Sequence, residues 1–291
     1  MSSPVALTEA QIAQYQRDGA ILLKGVLTST EQTLLEQGLE ESYRSPGKRS
    51  SRATDPTGQG ETFMESFPSQ HCPPLQELLA IGRIPEIAAR MMRAPSAQLI
   101  LDQIFYKQRG HIIATPWHQD TPYMKVRGDD MIRVWITADY SPKALTLKII
   151  RGSHRWNVLY SPRLGEKDSN ALKKSGDGRI LSFNQATDDK PVVPDIDRYP
   201  DSFDILTWDV APGDALVFNG NMLHSAGGMD DYPHSRRAYT TMWGGPQLRY
   251  VIPPDNAIPT LADINRHSVP SGAAIGDYPE AFPIGWPRSP A

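Results

Sequence analysis

The sequence predicts a mainly β fold with flanking helices, an α+β arrangement. Three observations predict it. Short apolar runs that read as strands crowd the second half, and helical stripes are confined to the first. The residues best suited to hold a metal ion fall on or beside strands. The 26 Pro and 22 Gly also suit a loop-rich β architecture better than a helical bundle.

Residues 1–6 read as a frayed terminus. Thr8 can cap a short helix through Ile12, with Asp18-Gly19 as its stop. Ala20–Leu27 reads as a buried strand. Ser29 is placed to cap a helix to about Tyr43, with Leu34, Leu35 and Leu39 on one stripe. Residues 45–61 are rich in Ser, Gly, Arg and Thr and read as a mobile loop that a substrate could order. A helix is expected from about Leu75. Another starts at Pro85 and runs through Ile87, Ala88 and Met91, since proline is tolerated in the first turn.

Ser96–Gln108 reads as a long strand. By alternation Leu101, Gln103, Phe105 and Lys107 share one face, and Asp102, Ile104 and Tyr106 the other. Arg109–Pro116 is a loop, Met131–Tyr140 and Ala144–Ile150 are strands, and Arg151-Gly152-Ser153-His154 is a turn. Residues 157–202 form a long polar stretch, functional or mobile. Phe203–Asp209, Ala215–Phe218 and Arg236–Trp243 are the last strands, and the proline-rich tail after Arg249 is irregular. The elements amount to one domain over residues 1–291: helical support over about 1–95, a barrel core over about 96–250 and a tail over 251–291. Antiparallel strands closing on themselves with helices to one side give a cupin-like double-stranded β-helix, a jelly-roll barrel.

Composition narrows the function. A net charge of −3 gives no support to a nucleic-acid partner. The single cysteine, Cys72, cannot form an internal disulfide, which is compatible with a reducing cytoplasm. No apolar run approaches membrane-spanning length, and the N-terminus has no basic-then-apolar signal pattern. The expectation is a cytoplasmic protein, monomer or homodimer, that acts on a small molecule and has neither nucleic-acid nor membrane partners.

The stretch that carries chemistry is Thr115-Pro116-Trp117-His118-Gln119-Asp120-Thr121-Pro122-Tyr123. On an extended strand, residues i and i+2 point to one side, so His118 and Asp120 can share a metal ion. Two imidazoles and one carboxylate form the facial triad of non-haem Fe(II) oxygenases, with positions left open for a co-substrate and O₂. His224, at the end of the strand-like run that follows Pro212-Gly213-Asp214, is the best second imidazole. His71, His111, His234 and His267 sit in polar or loop contexts and read as bystanders.

Several motifs, in this order, resemble the phytanoyl-CoA dioxygenase family of Fe(II)/2-oxoglutarate oxygenases. They are Leu7-Thr8 with Tyr15 and Asp18-Gly19, then Leu101-Asp102-Gln103-Ile104-Phe105-Tyr106-Lys107, then Thr115–Asp120 with Tyr123. Trp135, Gly152-Ser153-His154-Arg155-Trp156, Pro212-Gly213-Asp214 with His224, and Arg236-Arg237-Ala238 complete the set. The resemblance spans most of the chain. It implies Fe(II), 2-oxoglutarate and O₂, with His118, Asp120 and His224 as the iron ligands. It assigns the far carboxylate of 2-oxoglutarate to an arginine on the strand after the distal histidine. Arg236 is favoured over Arg237, because alternation turns the two to opposite faces. Gln103 and Trp135 match positions lining the co-substrate, and Trp135 reads equally well as core packing. His154 belongs to the family's Gly-Ser-His turn and reads as structural.

The chain also departs from the family pattern. Ser141-Pro142-Lys143-Ala144 stands where an acidic-Asn-Gly turn is common, and Arg151 replaces the proline of Pro-Gly-Ser-His. The serine two residues past the distal histidine is Ala226 here, which leaves Ser225 as the nearby hydroxyl for the co-substrate. Halogenating relatives replace the carboxylate ligand with a small residue, and the intact Asp120 argues for hydroxylation. Epimerisation, desaturation or cyclisation would use the same residues. A cupin metalloenzyme that does not use 2-oxoglutarate, and a non-catalytic binding barrel, are the readings from other classes.

For substrate, the expected set is Tyr123, Met124, Phe105 and Arg133, with the 45–61 loop as cover. Arg133 lies two residues before Trp135 and so shares its face. It either pairs with Asp129 or Asp130, or holds an acidic group of the substrate together with Lys125 or Arg127.

Overall fold

A computed structural model describes residues 4–54, 60–160, 190–252 and 258–287. The N-terminal part follows from its caps. In α1 (Glu9–Asp18), the Thr8 hydroxyl accepts from the Gln11 N–H while the Gln11 side chain accepts from the Thr8 N–H. The helix closes at Gly19, whose φ of +80° favours glycine. A Cβ there would also strike Met222 Sδ and His154 Nδ1. Strand β1 (Ala20–Leu23) is shorter than the expected Ala20–Leu27. Gly25 turns the chain with φ +60°, and its N–H donates to Asp214. Helix α2 (Ser29–Arg44) is capped by Thr28, not by Ser29, through a reciprocal Thr28–Glu31 pair. The Thr-x-x-Glu signature lay one residue upstream of the expected cap.

Residues 45–61, expected as a mobile loop, instead contribute to an antiparallel hairpin of β2 (Ser50–Thr54) and β3 (Glu61–Ser66). Its turn, 55–59, lies outside the described residues. Polar composition concealed the strand. Arg52 pairs with Glu61 at 2.8 Å and lies 4.0 Å and 4.8 Å from the ring centroids of Tyr43 and Phe63. Stacked arginine replaces the apolar alternation that marks a strand. Helices α3 (Pro73–Ile81) and α4 (Arg83–Met92) then meet at Gly82, with Pro85 inside the first turn of α4.

The barrel strands are β4 (Ala97–Lys107), β5 (Gly110–Ile112), β6 (Thr115–His118), β7 (Val126–Arg127), β8 (Met131–Thr137) and β9 (Leu147–Ile150). They continue with β10 (Ile205–Leu206), β11 (Ala215–Asn219), β12 (His224–Ala226), β13 (Met229–Tyr232), β14 (Arg236–Gly244) and β15 (Arg249–Tyr250). Two expectations change here. The Arg109–Pro116 loop contains β5 and the start of β6, and Phe203–Asp209 keeps only Ile205 and Leu206 in a ladder. The tail is not wholly irregular: it carries α5 (Leu261–Ile264) and β16 (Ile284–Trp286), which pairs with β4. Most of the polar 157–202 stretch falls outside the described residues.

The major sheet runs β1-β11-β8-β14-β4-β3-β2, and the minor sheet runs β10-β9-β12-β6. Alternation sorts each strand's side chains between two surroundings. Ile132, Val134 and Ile136 of β8 join the core that includes Leu35 and Leu39 of α2 and Ile87 and Met91 of α4. Trp135 of β8 and Phe218 of β11 instead pack with Leu147 and Ile149 of the minor sheet. The two sheets therefore face one another as an antiparallel jelly roll, and the helices cover the outer face of the larger one.

Candidate metal centre and its cavity

His118 and His224 are direct cross-strand partners in the β6–β12 pair. Opposite residues on antiparallel strands bring their Cβ atoms within about 5 Å, and here the ring centroids are 4.2 Å apart. Each ring is fixed by its own backbone. His118 Nδ1 donates to Pro116 O at 2.8 Å, and His224 Nδ1 donates to Met222 O at 3.0 Å. A proton held on Nδ1 leaves the Nε2 lone pair free for a metal.

Asp120 reaches the same point by a different route than alternation suggests. Strand β6 ends at His118, and Asp120 has helical dihedrals, φ −73° and ψ −39°, at the start of a 3₁₀ turn over Thr121–Tyr123. Its Oδ1 lies 3.8 Å from His118 Nε2 and 3.9 Å from His224 Nε2. Those gaps are too wide for hydrogen bonds, and all three ligand atoms lie within 4.8 Å of one another. Neutral imidazole nitrogens converging on a carboxylate oxygen form a donor set for a divalent transition metal.

The electrostatics agree. Burial, then the neighbouring ring of His224, lowers the His118 pKa to about 3. His224 is lowered too, by burial. For Asp120 burial acts upward, but Arg133, His224 and His118 outweigh it and bring its pKa down to about 2. The site thus presents a carboxylate and two unprotonated imidazoles at neutral pH.

Two polar clasps that the sequence did not reveal hold these segments. Gln119 donates to Val158 O and Asn221 O and accepts from the Tyr160 N–H, each at 3.0 Å. Ser153 Oγ, in the Gly-Ser-His turn, accepts from the Leu223 N–H at 2.9 Å, next to His224. His154 packs against Gly19 and does not line the cavity.

The cavity between the sheets encloses about 350 Å³ beside the triad, within the range of small-molecule sites. Gln103, Trp135, Ser225, Arg236, Tyr123, Phe105 and Arg133, the residues proposed from sequence for co-substrate or substrate, are among its lining. Met124 does not line it. It is 1% exposed and packed in the helix-side core, because the 3₁₀ turn rotates it away from Tyr123. Arg236 and Arg237 part as alternation requires. Arg236 is 3% exposed, donates through Nη1 to Leu145 O and, among the described residues, has no partner for Nε. Burial lowers its pKa to about 10. Arg237 faces outward onto Asp139, Glu40 and Glu36.

The expected partners of Arg133 are corrected. It pairs with neither Asp129 nor Asp130. Its Nε donates to Asp120 Oδ2 at 2.8 Å and its Nη1 to Gln103 Oε1 at 3.0 Å. Lys125 and Arg127 are also engaged elsewhere, Lys125 with Asp263 at 2.6 Å and Arg127 with backbone carbonyls. Two cavity groups were not singled out from sequence. Lys107, the cross-strand neighbour of Arg236, is buried and donates to Ile113 O; burial and Arg236 hold its pKa well below normal. Thr240 lies between Gln103 and Trp135 across three strands, with its hydroxyl unpartnered among the described residues. Alternation from Arg236 to Ala238 to Thr240 was the available signal.

A jelly roll that carries a His-x-Asp pair and a distal histidine beside a cavity defines the class of non-haem iron oxygenases. Residues 15–236 match the family model for phytanoyl-CoA dioxygenase (PhyH), and the chain belongs to that family. It is a 2-oxoglutarate-dependent non-haem iron dioxygenase. No curated protein matches the chain. Among solved structures it is similar to the α-ketoglutarate-dependent carbocyclase SnoK from nogalamycin biosynthesis: 18% identity, TM-score 0.67, covering 97% of this chain and 99% of that one. EctD from S. alaskensis with 2-oxoglutarate and 5-hydroxyectoine is also similar, at 16% identity and TM-score 0.65, covering 94% and 88%. EvdO2 from Micromonospora carbonacea var. aurantiaca, complexed with 2-oxoglutarate, has 20% identity and TM-score 0.62, covering 88% and 97%. At these identities the likeness is one of fold. Among the described residues, no helix is long and apolar enough to cross a membrane.

Proposed function

We propose that this dioxygenase hydroxylates a C–H bond of a small molecule. In the overall balance one oxygen atom of O₂ enters the product alcohol. The other enters succinate, and the keto-acid carboxyl of 2-oxoglutarate leaves as CO₂. The observation that carries the reading is the intact Asp120 beside a cavity whose buried Arg236 has no carboxylate partner among the described residues. Iron(II) held by His118, Asp120 and His224 would supply O₂ activation at its open positions.

The chain's own groups supply binding, orientation and exclusion of water. The two Nδ1–H groups stay hydrogen-bonded to backbone carbonyls, so neither imidazole donates a proton to the reaction. Arg236 takes the far carboxylate of 2-oxoglutarate with its planar fork, and Lys107 adds a second cation beside it. An anion there relieves a buried guanidinium that, among the described residues, donates to a backbone carbonyl, and it favours the protonated form of Lys107. Gln103, Trp135, Ser225 and Thr240 wall the co-substrate. Tyr123, Phe105, Met64 and Ile258 give the substrate an apolar surface. Met64 from the N-terminal hairpin and Ile258 from the tail support reading the chain as one catalytic unit.

The test is a metabolite screen that follows succinate release under ¹⁸O₂. A product that gains one labelled oxygen supports hydroxylation. Succinate release with an isomeric or dehydrogenated product replaces hydroxylation by epimerisation or desaturation. Turnover that is independent of 2-oxoglutarate overturns the reading.

A further inference from the structure

Asp120 differs from the two histidines in how it is held. His118 and His224 sit on paired strands, and each ring is locked by its own backbone. Asp120 lies beyond the strand, in a turn. Among the described residues, its carboxylate accepts a single hydrogen bond, from Arg133 Nε to Oδ2 at 2.8 Å. The other oxygen, Oδ1, faces both Nε2 atoms.

We propose that Arg133 is a positioning residue for the metal-binding carboxylate, holding Asp120 Oδ2 so that Oδ1 alone is presented to the ion. The proposal rests on the reading of His118, Asp120 and His224 as metal ligands. A carboxylate can rotate about its Cβ–Cγ bond and exchange its oxygens, or bind through both. A charge-assisted hydrogen bond to one oxygen stops the rotation and leaves one donor atom.

Arg133 is itself anchored. Its Nη1 donates to Gln103 Oε1 at 3.0 Å, and Gln103 Nε2 donates to Ser66 Oγ at 3.2 Å. Arg133 is on β8, Gln103 on β4 and Ser66 on β3, where Ser66 and Gln103 are register partners. The relay therefore fastens a turn residue to the major sheet. It needs arginine. One planar group serves Asp120 and Gln103 through two different nitrogens, which a point-charge ammonium does not reproduce. It also accounts for an arginine facing the cavity with only 4% of its surface exposed, because its counter-ion is the ligand itself.

The sign of one measurement separates this role from simple charge neutralisation. If Arg133 only balanced charge, removing it would strengthen cation binding, since it repels the ion. If it positions Asp120, removing it weakens binding. Full-length protein would be titrated with Co(II) by calorimetry and visible absorption, with circular dichroism and Tm of the metal-free protein as fold controls. Arg133→Met is expected to weaken Co(II) binding by about 10- to 100-fold and to alter the Co(II) spectrum. Gln103→Leu is expected to change both in the same direction by less. Arg133→Lys restores the charge but not the spectrum. Unchanged or tighter binding in Arg133→Met, or a wild-type spectrum in Arg133→Lys, overturns the proposal. If Arg133→Met does not fold, Gln103→Leu and Ser66→Ala carry the same test, and wild-type binding and spectrum in both overturn it. If Asp120→Ala leaves Co(II) binding intact, the ligand reading itself fails. If Asp120→Ala abolishes binding while the Arg133 variants bind as wild type, only the positioning role fails.

Discussion

His118 and His224 stand opposite one another in register on β6 and β12, their ring centroids 4.2 Å apart. Two residues 106 positions apart in sequence thus form one site through a single strand pairing. A slip in this register moves one ring off the other and dismantles the site. His118→Ala, Asp120→Ala and His224→Ala should each abolish iron-dependent turnover and leave circular dichroism unchanged. Full activity in any one of them removes that residue from the ligand set.

Metal-free protein should lose stability as pH falls below about 6.5. The unfolded histidine titrates near 6.5, whereas folded His118 titrates at about 3. Between those values the unfolded state binds a proton that the folded state refuses, so unfolding gains as pH drops, by on the order of a few kcal/mol. His224 acts with the same sign. Asp102 acts oppositely. Burial raises its pKa to about 6, so between about 3.8 and 6 the folded state binds the extra proton. Comparing wild type with His118→Asn isolates the imidazole, because Asp102 is common to both. Urea midpoints at pH 7.5 and 4.5 should fall further in wild type than in His118→Asn, and equal falls would contradict the assignment.

The two neighbouring arginines should separate cleanly. Arg236→Ala should raise the KM for 2-oxoglutarate by at least tenfold, as loss of a buried charge partner costs on the order of 2–5 kcal/mol. Arg237→Ala should leave that KM within about twofold and lower Tm instead, since Arg237 joins Asp139 to Glu36 and Glu40 of α2. The reverse ranking would contradict the cavity placement.

Ser153→Ala tests the clasp behind His224. The buried Leu223 N–H loses its acceptor, which costs about 1–3 kcal/mol. The urea midpoint should fall, and Co(II) affinity with it. A loss of stability with unchanged Co(II) affinity would show that the turn supports the fold and not the ligand.

Much of this was legible in sequence because local rules were at work. Thr8 marked the start of α1, the start of α2 was placed one residue late at Ser29, and alternation on β4 and β14 sorted Gln103 from Asp102 and Arg236 from Arg237. What stayed hidden was set by distant partners. Strand β2 is held by a stacked arginine and carries no apolar stripe, and β16 is three residues long and held by pairing with β4. The partner of Arg133 was expected three or four residues away and is Asp120, thirteen residues away and carried there by a 3₁₀ turn that no alternation encodes. That turn also buried Met124, which strand geometry had aimed at the substrate.

The most direct test of the central claim is an anaerobic titration of the Fe(II)-loaded protein with 2-oxoglutarate, followed by visible absorption. The account predicts a saturable charge-transfer band from keto-acid chelation at one equivalent. The band should be lost in His118→Ala and require a higher 2-oxoglutarate concentration in Arg236→Ala. Absence of the band in wild type, or an undiminished band in His118→Ala, would contradict it.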